Sequence, residues 1–220
     1  QLGIWSIVLA TGTAVRLSEL GLAAGVVRFV AKYLAQDDPA RAAAVVQTAF
    51  VSIAWLMAIA VIPLYLLLGL VLDYFLAADE FPLAIALLPY ALAALWIGSL
   101  GSVLTSGLDG VLRTDYRSWI LILGVVSHLL FVLLLVPEFG LLGLGYAQVL
   151  QSLIVLSVSW LVLRRRLREL PVIPWRWNPA LFREMLGYGL NIQVASIAQL
   201  LLDPMTKMLL SKFAGIESVA

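Results

Sequence analysis

Between Arg41 and Asp73 the chain carries no ionisable side chain, and the polar residues of Ala42–Leu72 are only Gln47, Thr48, Ser52 and Tyr65. A soluble core helix would place polar residues on its outer face at every third or fourth position. A run well beyond the roughly 20 apolar residues that cross a bilayer core reads instead as a membrane helix. Similar runs at about Gly3–Val27, Leu83–Gly107, Ser118–Val136, Leu141–Leu163 and Met185–Phe213 bring the predicted total to six, in an all-α, polytopic transmembrane bundle.

The breaks between these runs carry their own signals. After the first helix, VRFVAKYLAQDDPAR reads as a solvated basic face bearing Arg28, Lys32 and Arg41. Pro63 removes the hydrogen bond to the Ile59 carbonyl, which predicts a kink in the second helix. The connection Asp73–Pro82 holds three acids and no base. In the third helix, Gly98, Gly101, Ser102 and Thr105 predict close approach of a neighbour, because packing rather than water expulsion drives helix association in lipid. The link DGVLRTDYR follows, with Arg113 and Arg117, and Pro137, Glu138 and Gly140 are expected to turn the chain into the fifth helix. Residues Arg164–Glu184 read as an amphipathic elbow along the membrane surface. In it Trp175 and Trp177 are interfacial aromatics, and Asn178–Pro179 is a helix N-cap with a favoured first residue.

Composition agrees: 63% of residues are apolar, 12% are charged, and the mean hydropathy is +1.03. The absence of cysteine excludes disulfides, thiolate metal sites and a cysteine nucleophile, and a lone histidine, His128, excludes a two-histidine zinc motif. The glycines at 140, 143 and 145 follow no strand and do not make a nucleotide loop. Neither metal nor cofactor nor nucleic acid is expected. Lys and Arg fall in the first, third and fifth connections and are missing from the second and fourth, so the odd connections are expected to be cytoplasmic. On that orientation Gln1 lies outside, in mid-run, and a preceding helix is expected. The first run is no signal peptide, since it lacks a basic start and is interrupted by Arg16 and Glu19.

Four charges fall at membrane depth: Arg16 and Glu19 in the first helix, Asp203 and Lys207 in the last. Each costs about 2.5–3.5 kcal/mol there and by default faces the protein interior or a wet cavity. The pairs are spaced i,i+3 and i,i+4, so they can neutralise themselves and serve only packing or topology. Alternatively they line a passage for a hydrophilic substrate, with Pro204 freeing the Leu200 carbonyl beside them. Arg164, Arg165, Arg166 and Arg168 read first as a topology anchor facing anionic lipid, and Arg28, Arg164 and Arg165 are the candidates for contact with a phosphorylated headgroup.

Three segments, LGIWSIVLA with LSELGLAAGVVRFVAKYLAQDDPAR, GLDGVLRTDYR, and LGYGLNIQVASIAQLLLDPMTKMLLSKFAGIESVA, resemble the O-antigen and exopolysaccharide (Wzx-type) flippases of the multidrug/oligosaccharidyl-lipid/polysaccharide (MOP) exporter superfamily. The resemblance covers nearly the whole chain. It implies a MATE-like fold in which this chain spans roughly family helices two to seven, residues 1–184 forming most of the N-terminal lobe and 185–220 the first helix of the C-terminal lobe. It further implies transport of undecaprenyl-diphosphate-linked oligosaccharide to the outer leaflet of the inner membrane, with Arg16, Glu19, Asp203 and Lys207 lining the cavity. Polymerase and glycosyltransferases of the same pathway would be partners. Family members often carry Asp where Glu19 stands, and Arg16 matches no family position.

The rivals are a cation-coupled multidrug exporter or a lipid II flippase of the same superfamily. An exporter wants an unpaired carboxylate at membrane depth, whereas both carboxylates here have a basic neighbour. A membrane-embedded glycosyltransferase or polymerase would need acids in a sizeable interfacial loop, for which Asp73, Asp79 and Glu80 are the sole candidates.

Overall fold

The computed structural model describes residues 21–75 and 81–194, which form six helical stretches and no strand. In chain order they are α1 (21–35), α2 (Pro39–Phe75), α3 (Phe81–Gly110), α4 (Thr114–Phe139), α5 (Leu141–Arg166) and α6 (179–194). Helices α2 to α5 are long and apolar enough to cross a bilayer. α2 has 37 residues, about 55 Å at 1.5 Å per residue, so it overshoots a hydrocarbon core of about 30 Å.

The third helix is the centre of the bundle. It packs against α2 on one side and α5 on the other, while α4 sits chiefly against α5. Small residues on α3 allow this: Gly101 faces Val155 and Leu156 of α5, as its position predicts, and Gly107 faces Leu163 of α5 and Val46 of α2. By contrast α4 buries only Ile120, Gly124 and Ser127 and leaves Trp119, Val125, Leu129 and Leu133 open, Val125 at 69% exposure. On a soluble protein such a face would be an aggregation site; in a bilayer it is the surface that lipid solvates.

Apolar packing divides into two clusters. One joins Phe29 and Val30 of α1 to Val46 and Ile53 of α2, Leu104 and Leu108 of α3 and Leu163 of α5. The other joins Leu68 and Leu72 of α2 to Ala84, Leu88 and Leu92 of α3. Between the clusters α2 runs through Pro63, beside a cavity of about 410 Å³ that also touches Pro89.

Several boundaries differ from expectation. The first helix does not stop at Val27 but continues to residue 35, because Val26, Phe29, Val30 and Tyr33 form a buried i,i+3,i+4,i+7 stripe opposite Arg28 and Lys32. The basic face is real but is only half of the helix. At Asp38–Pro39 the chain enters α2 with an N-cap, the Arg41 backbone N–H donating to Asp38 Oδ1 at 3.0 Å. Helix α4 starts at Thr114 rather than Ser118, so Arg117 sits in its first turn and pairs with Asp109 of α3. Pro137 does not turn the chain, since a proline in the last turn removes a single hydrogen bond, and the break comes at Gly140 with φ 57° and ψ −135°.

The elbow also differs. Arg164 to Arg166 are the last turn of α5, residues 167–178 are irregular, and helix resumes at 179, so Arg183 and Glu184 belong to α6. Pro171 and Pro174 lack N–H donors and push the residues before them out of helical geometry, so the middle of the elbow is not helical. The segment is a strap instead. Leu167 and Leu170 are buried at its start, and at its end Trp177 Nε1 donates to Ser52 Oγ at 3.0 Å and the Asn178 N–H donates to Thr48 Oγ1 at 3.3 Å. The Asn178 cap is as expected, its Oδ1 accepting from the N–H groups of Ala180 and Leu181.

Candidate functional site

All eleven Lys and Arg among the described residues lie at one end of the bundle. Contacts tie that end together: Gly110 at the end of α3 meets Val27 and Val30 of α1, Arg166 at the end of α5 reaches Tyr116 near the start of α4, and the strap crosses α2. At the opposite end, the described α4–α5 turn carries Glu138 and no base. This one-sidedness agrees with a cytoplasmic basic end. Cysteines placed at Arg165 and Phe139 are therefore expected to react with an impermeant maleimide from the inside and the outside respectively, and the reverse labelling would invert the orientation.

The helices that adjoin in sequence the charges predicted at membrane depth are α1 and α6. Arg16, Glu19, Asp203 and Lys207 themselves lie outside the described residues. The two helices run antiparallel, Gly21 opposite Gly189 and Gly25 opposite Met185, close enough that a Cβ at Gly21 would lie 3.1 Å from the Gly189 carbonyl carbon. Such backbone-to-backbone contact is available only to residues without a side chain. Towards the basic end the seam widens to admit side chains. Phe29 and Tyr188 meet edge to face at 6.1 Å, and Lys32 Nζ pairs with Glu184 Oε1 at 3.4 Å. The Arg28 guanidinium lies 4.1 Å from the Tyr188 ring centroid, a cation–π contact that fixes its head, and among the described residues its N–H donors have no hydrogen-bond or ion-pair partner.

Of the three headgroup candidates, Arg28 is therefore on the α1–α6 seam, whereas Arg164 and Arg165 are exposed at the end of α5. None of the three has a carboxylate within ion-pair distance among the described residues. The neighbouring Arg166 turns away to α4, where it and Arg113 both lie over the Tyr116 ring and donate to its hydroxyl. Tyr116, Glu184 and Tyr188 were not singled out from the sequence. Only the helical continuation of α1 and the early start of α6 bring Glu184 and Tyr188 opposite Lys32 and Arg28. His128, on α4, has its Nδ1 buried with no hydrogen-bond partner among the described residues. The acids Asp79 and Glu80, and the side chain of Asp73, lie outside the described set.

Comparison with known proteins gives two findings. The family model described as polysaccharide biosynthesis protein matches residues 2–220. A solved structure, the inward-facing conformation of a multidrug resistance MATE family transporter of the MOP superfamily, superposes with a TM-score of 0.67 at 18% identity, over 80% of this chain and 42% of that one. At that identity the likeness is one of fold, and the chain spans less than half the length of the transporter it matches. No curated protein sequence matches the chain.

Proposed function

We propose, for a chain that belongs to the polysaccharide biosynthesis protein family, that it forms part of an inner-membrane transporter moving undecaprenyl-diphosphate-linked oligosaccharide from the cytoplasmic to the outer leaflet. The observation that carries this reading is the family match along nearly the whole chain. The placement of charge supports it. A diphosphate arriving from the cytoplasm first meets a basic end, where Arg28 on the α1–α6 seam has no carboxylate partner among the described residues. From there the substrate would pass Arg16 and Lys207, whose cations offset phosphate charge, and Glu19 and Asp203, whose carboxylates accept hydrogen bonds from sugar hydroxyls. Glycosyltransferases would supply the lipid-linked unit and a polymerase would consume it.

A charge-assisted hydrogen bond is worth about 1.5–3 kcal/mol, so Lys207→Ala is expected to lower surface polysaccharide about tenfold or more while the protein level in the membrane holds. Normal glycan display in that variant would defeat the cavity assignment. A cation-coupled drug exporter would instead need a carboxylate free to exchange a proton, and the basic neighbours of Glu19 and Asp203 disfavour that. Measuring drug sensitivity in the same strain separates the two.

A further inference from the structure

A second cavity of about 410 Å³ lies away from the α1–α6 seam, between α2, α5 and the strap. It is lined by Phe50 of α2, Ser157, Trp160 and Leu161 of α5, and Val172 and Ile173 of the strap; Leu161, Val172 and Ile173 are more than half exposed, so it is an open, almost wholly apolar groove on the lipid-facing surface. Phe50 and Trp160 close one side as a tilted ring pair 5.7 Å apart. The strap holds the other side, pinned by the buried Leu167 and Leu170 before it and by the Trp177–Ser52 and Asn178–Thr48 hydrogen bonds after it. A volume above about 300 Å³ is in the range that holds a ligand rather than a stray water.

What flanks the cavity identifies the occupant. Ser157, Leu161, Arg164 and Arg165 follow i, i+4, i+7 and i+8 on α5, a single helix face, so both arginines sit about one turn beyond Leu161 along the helix. Both are exposed, and among the described residues neither has a carboxylate within ion-pair distance. The single acid between residues 164 and 183 is Glu169, which makes no ion pair among the described residues either. Trp175, 80% exposed and next to the pocket-lining Pro174, is an amphipathic ring of the kind found at headgroup level. An apolar pocket below, two cations above without a carboxylate partner among the described residues, and an exposed indole beside it together match one molecule, a lipid with acyl chains and an anionic phosphate head.

We infer that the α2–α5–strap cavity, with Arg164 and Arg165 above it, is a binding site for an anionic membrane phospholipid, separate from the transport passage. One acyl chain packs on Trp160 and Ile173, and the phosphate accepts hydrogen bonds from the two guanidiniums. Bound lipid then braces the strap against α2 and α5, which ties the entry angle of α6 to the composition of the inner leaflet.

The test is fluorescence of the purified whole protein in phosphatidylcholine vesicles containing increasing fractions of brominated phosphatidylglycerol or brominated phosphatidylcholine. The signal is the Trp160-dependent quenching, the difference between the parent and Trp160→Phe. The anionic lipid is expected to reach half-quenching at about tenfold lower mole fraction than the zwitterionic one. That preference is expected to vanish in Arg164→Gln/Arg165→Gln, an exposed pair whose loss leaves the fold intact. Ser157→Phe, which fills the cavity, is expected to abolish the Trp160-dependent signal for both lipids. Equal quenching by the two lipids in the parent overturns the proposal. So does displacement of brominated phosphatidylglycerol by equimolar undecaprenyl diphosphate, which would make the site a substrate port, or by millimolar inorganic phosphate, which would make it a simple anion site.

Discussion

Gly189→Val is expected to lower the stability of the protein by about 3 kcal/mol and, on the proposed function, to abolish glycan export, the largest effect of any single substitution on the seam. A Cβ at Gly189 would lie 3.0 Å from the Cα of Gly21 and closer still to its carbonyl group. Those atoms are backbone, so no rotamer change relieves the clash, and α1 and α6 must separate along their whole contact. Separation costs the dispersion between helices that association in lipid depends on, and it detaches Arg28 from Tyr188 and Lys32 from Glu184. Thermal unfolding in detergent measures the stability term and surface polysaccharide the export term. Gly187→Ala, two residues away with nothing within 4 Å of the new Cβ, is the matched control and is expected to be neutral. If the two variants behave alike, close approach of the seam plays no part in stability.

The second large effect is expected at the α4–α5 hairpin. In Gly143→Leu the new Cβ would lie 2.6 Å from the carbonyl carbon of Leu135 and 2.8 Å from the Val136 nitrogen, again main-chain atoms, here in the last turns of α4. The hairpin cannot close with its present packing, and accumulation of the inserted protein should fall about tenfold or more, a loss above about 1.4 kcal/mol. Gly140 tests a different cause in the same turn. Its φ of 57° is unfavourable for a residue with a side chain, yet nothing lies within 4 Å of an added Cβ. Gly140→Ala should therefore cost only the backbone term, about 1–3 kcal/mol. Immunoblots of membrane fractions rank the pair, and a milder effect for Gly143→Leu than for Gly140→Ala would contradict the crowding described here.

Membrane spans were legible in the sequence because lipid imposes a one-dimensional rule: a long run without charges must be helical and must cross. That rule located α2 through α5 and the one-sided charge. It was blind at helix ends outside the hydrocarbon, where amphipathic continuation replaces uniform apolarity. VRFVAKYL reads as wet by its charges, yet its apolar stripe at 26, 29, 30 and 33 carries α1 onward to residue 35. Asp38–Pro39 carries the same capping signal as Asn178–Pro179, an acceptor side chain followed by a proline, and caps α2 in the same way. Pro137 misled because the weight of a helix-breaking residue depends on how many turns remain after it. The strap was unreadable for another reason: its anchors, Thr48 and Ser52, are far away in sequence and look like ordinary hydroxyls inside a membrane helix. Of the candidate site, Arg28, Arg164 and Arg165 stood out by charge alone. Their division between two separate faces follows from packing and has no sequence signature.

The seam between α1 and α6 is held by two kinds of force that respond differently to the surrounding solution. At Gly21 and Gly189 the contact is dispersion between main chains, indifferent to electrolyte. At the rim, Lys32 and Glu184 are each nearly half open to water, and their attraction fades as the screening length shrinks from about 8 Å at physiological ionic strength to about 3 Å in molar salt. An abrupt rise in electrolyte on the basic side should thus unfasten the outer clasp alone, leaving the inner weld shut.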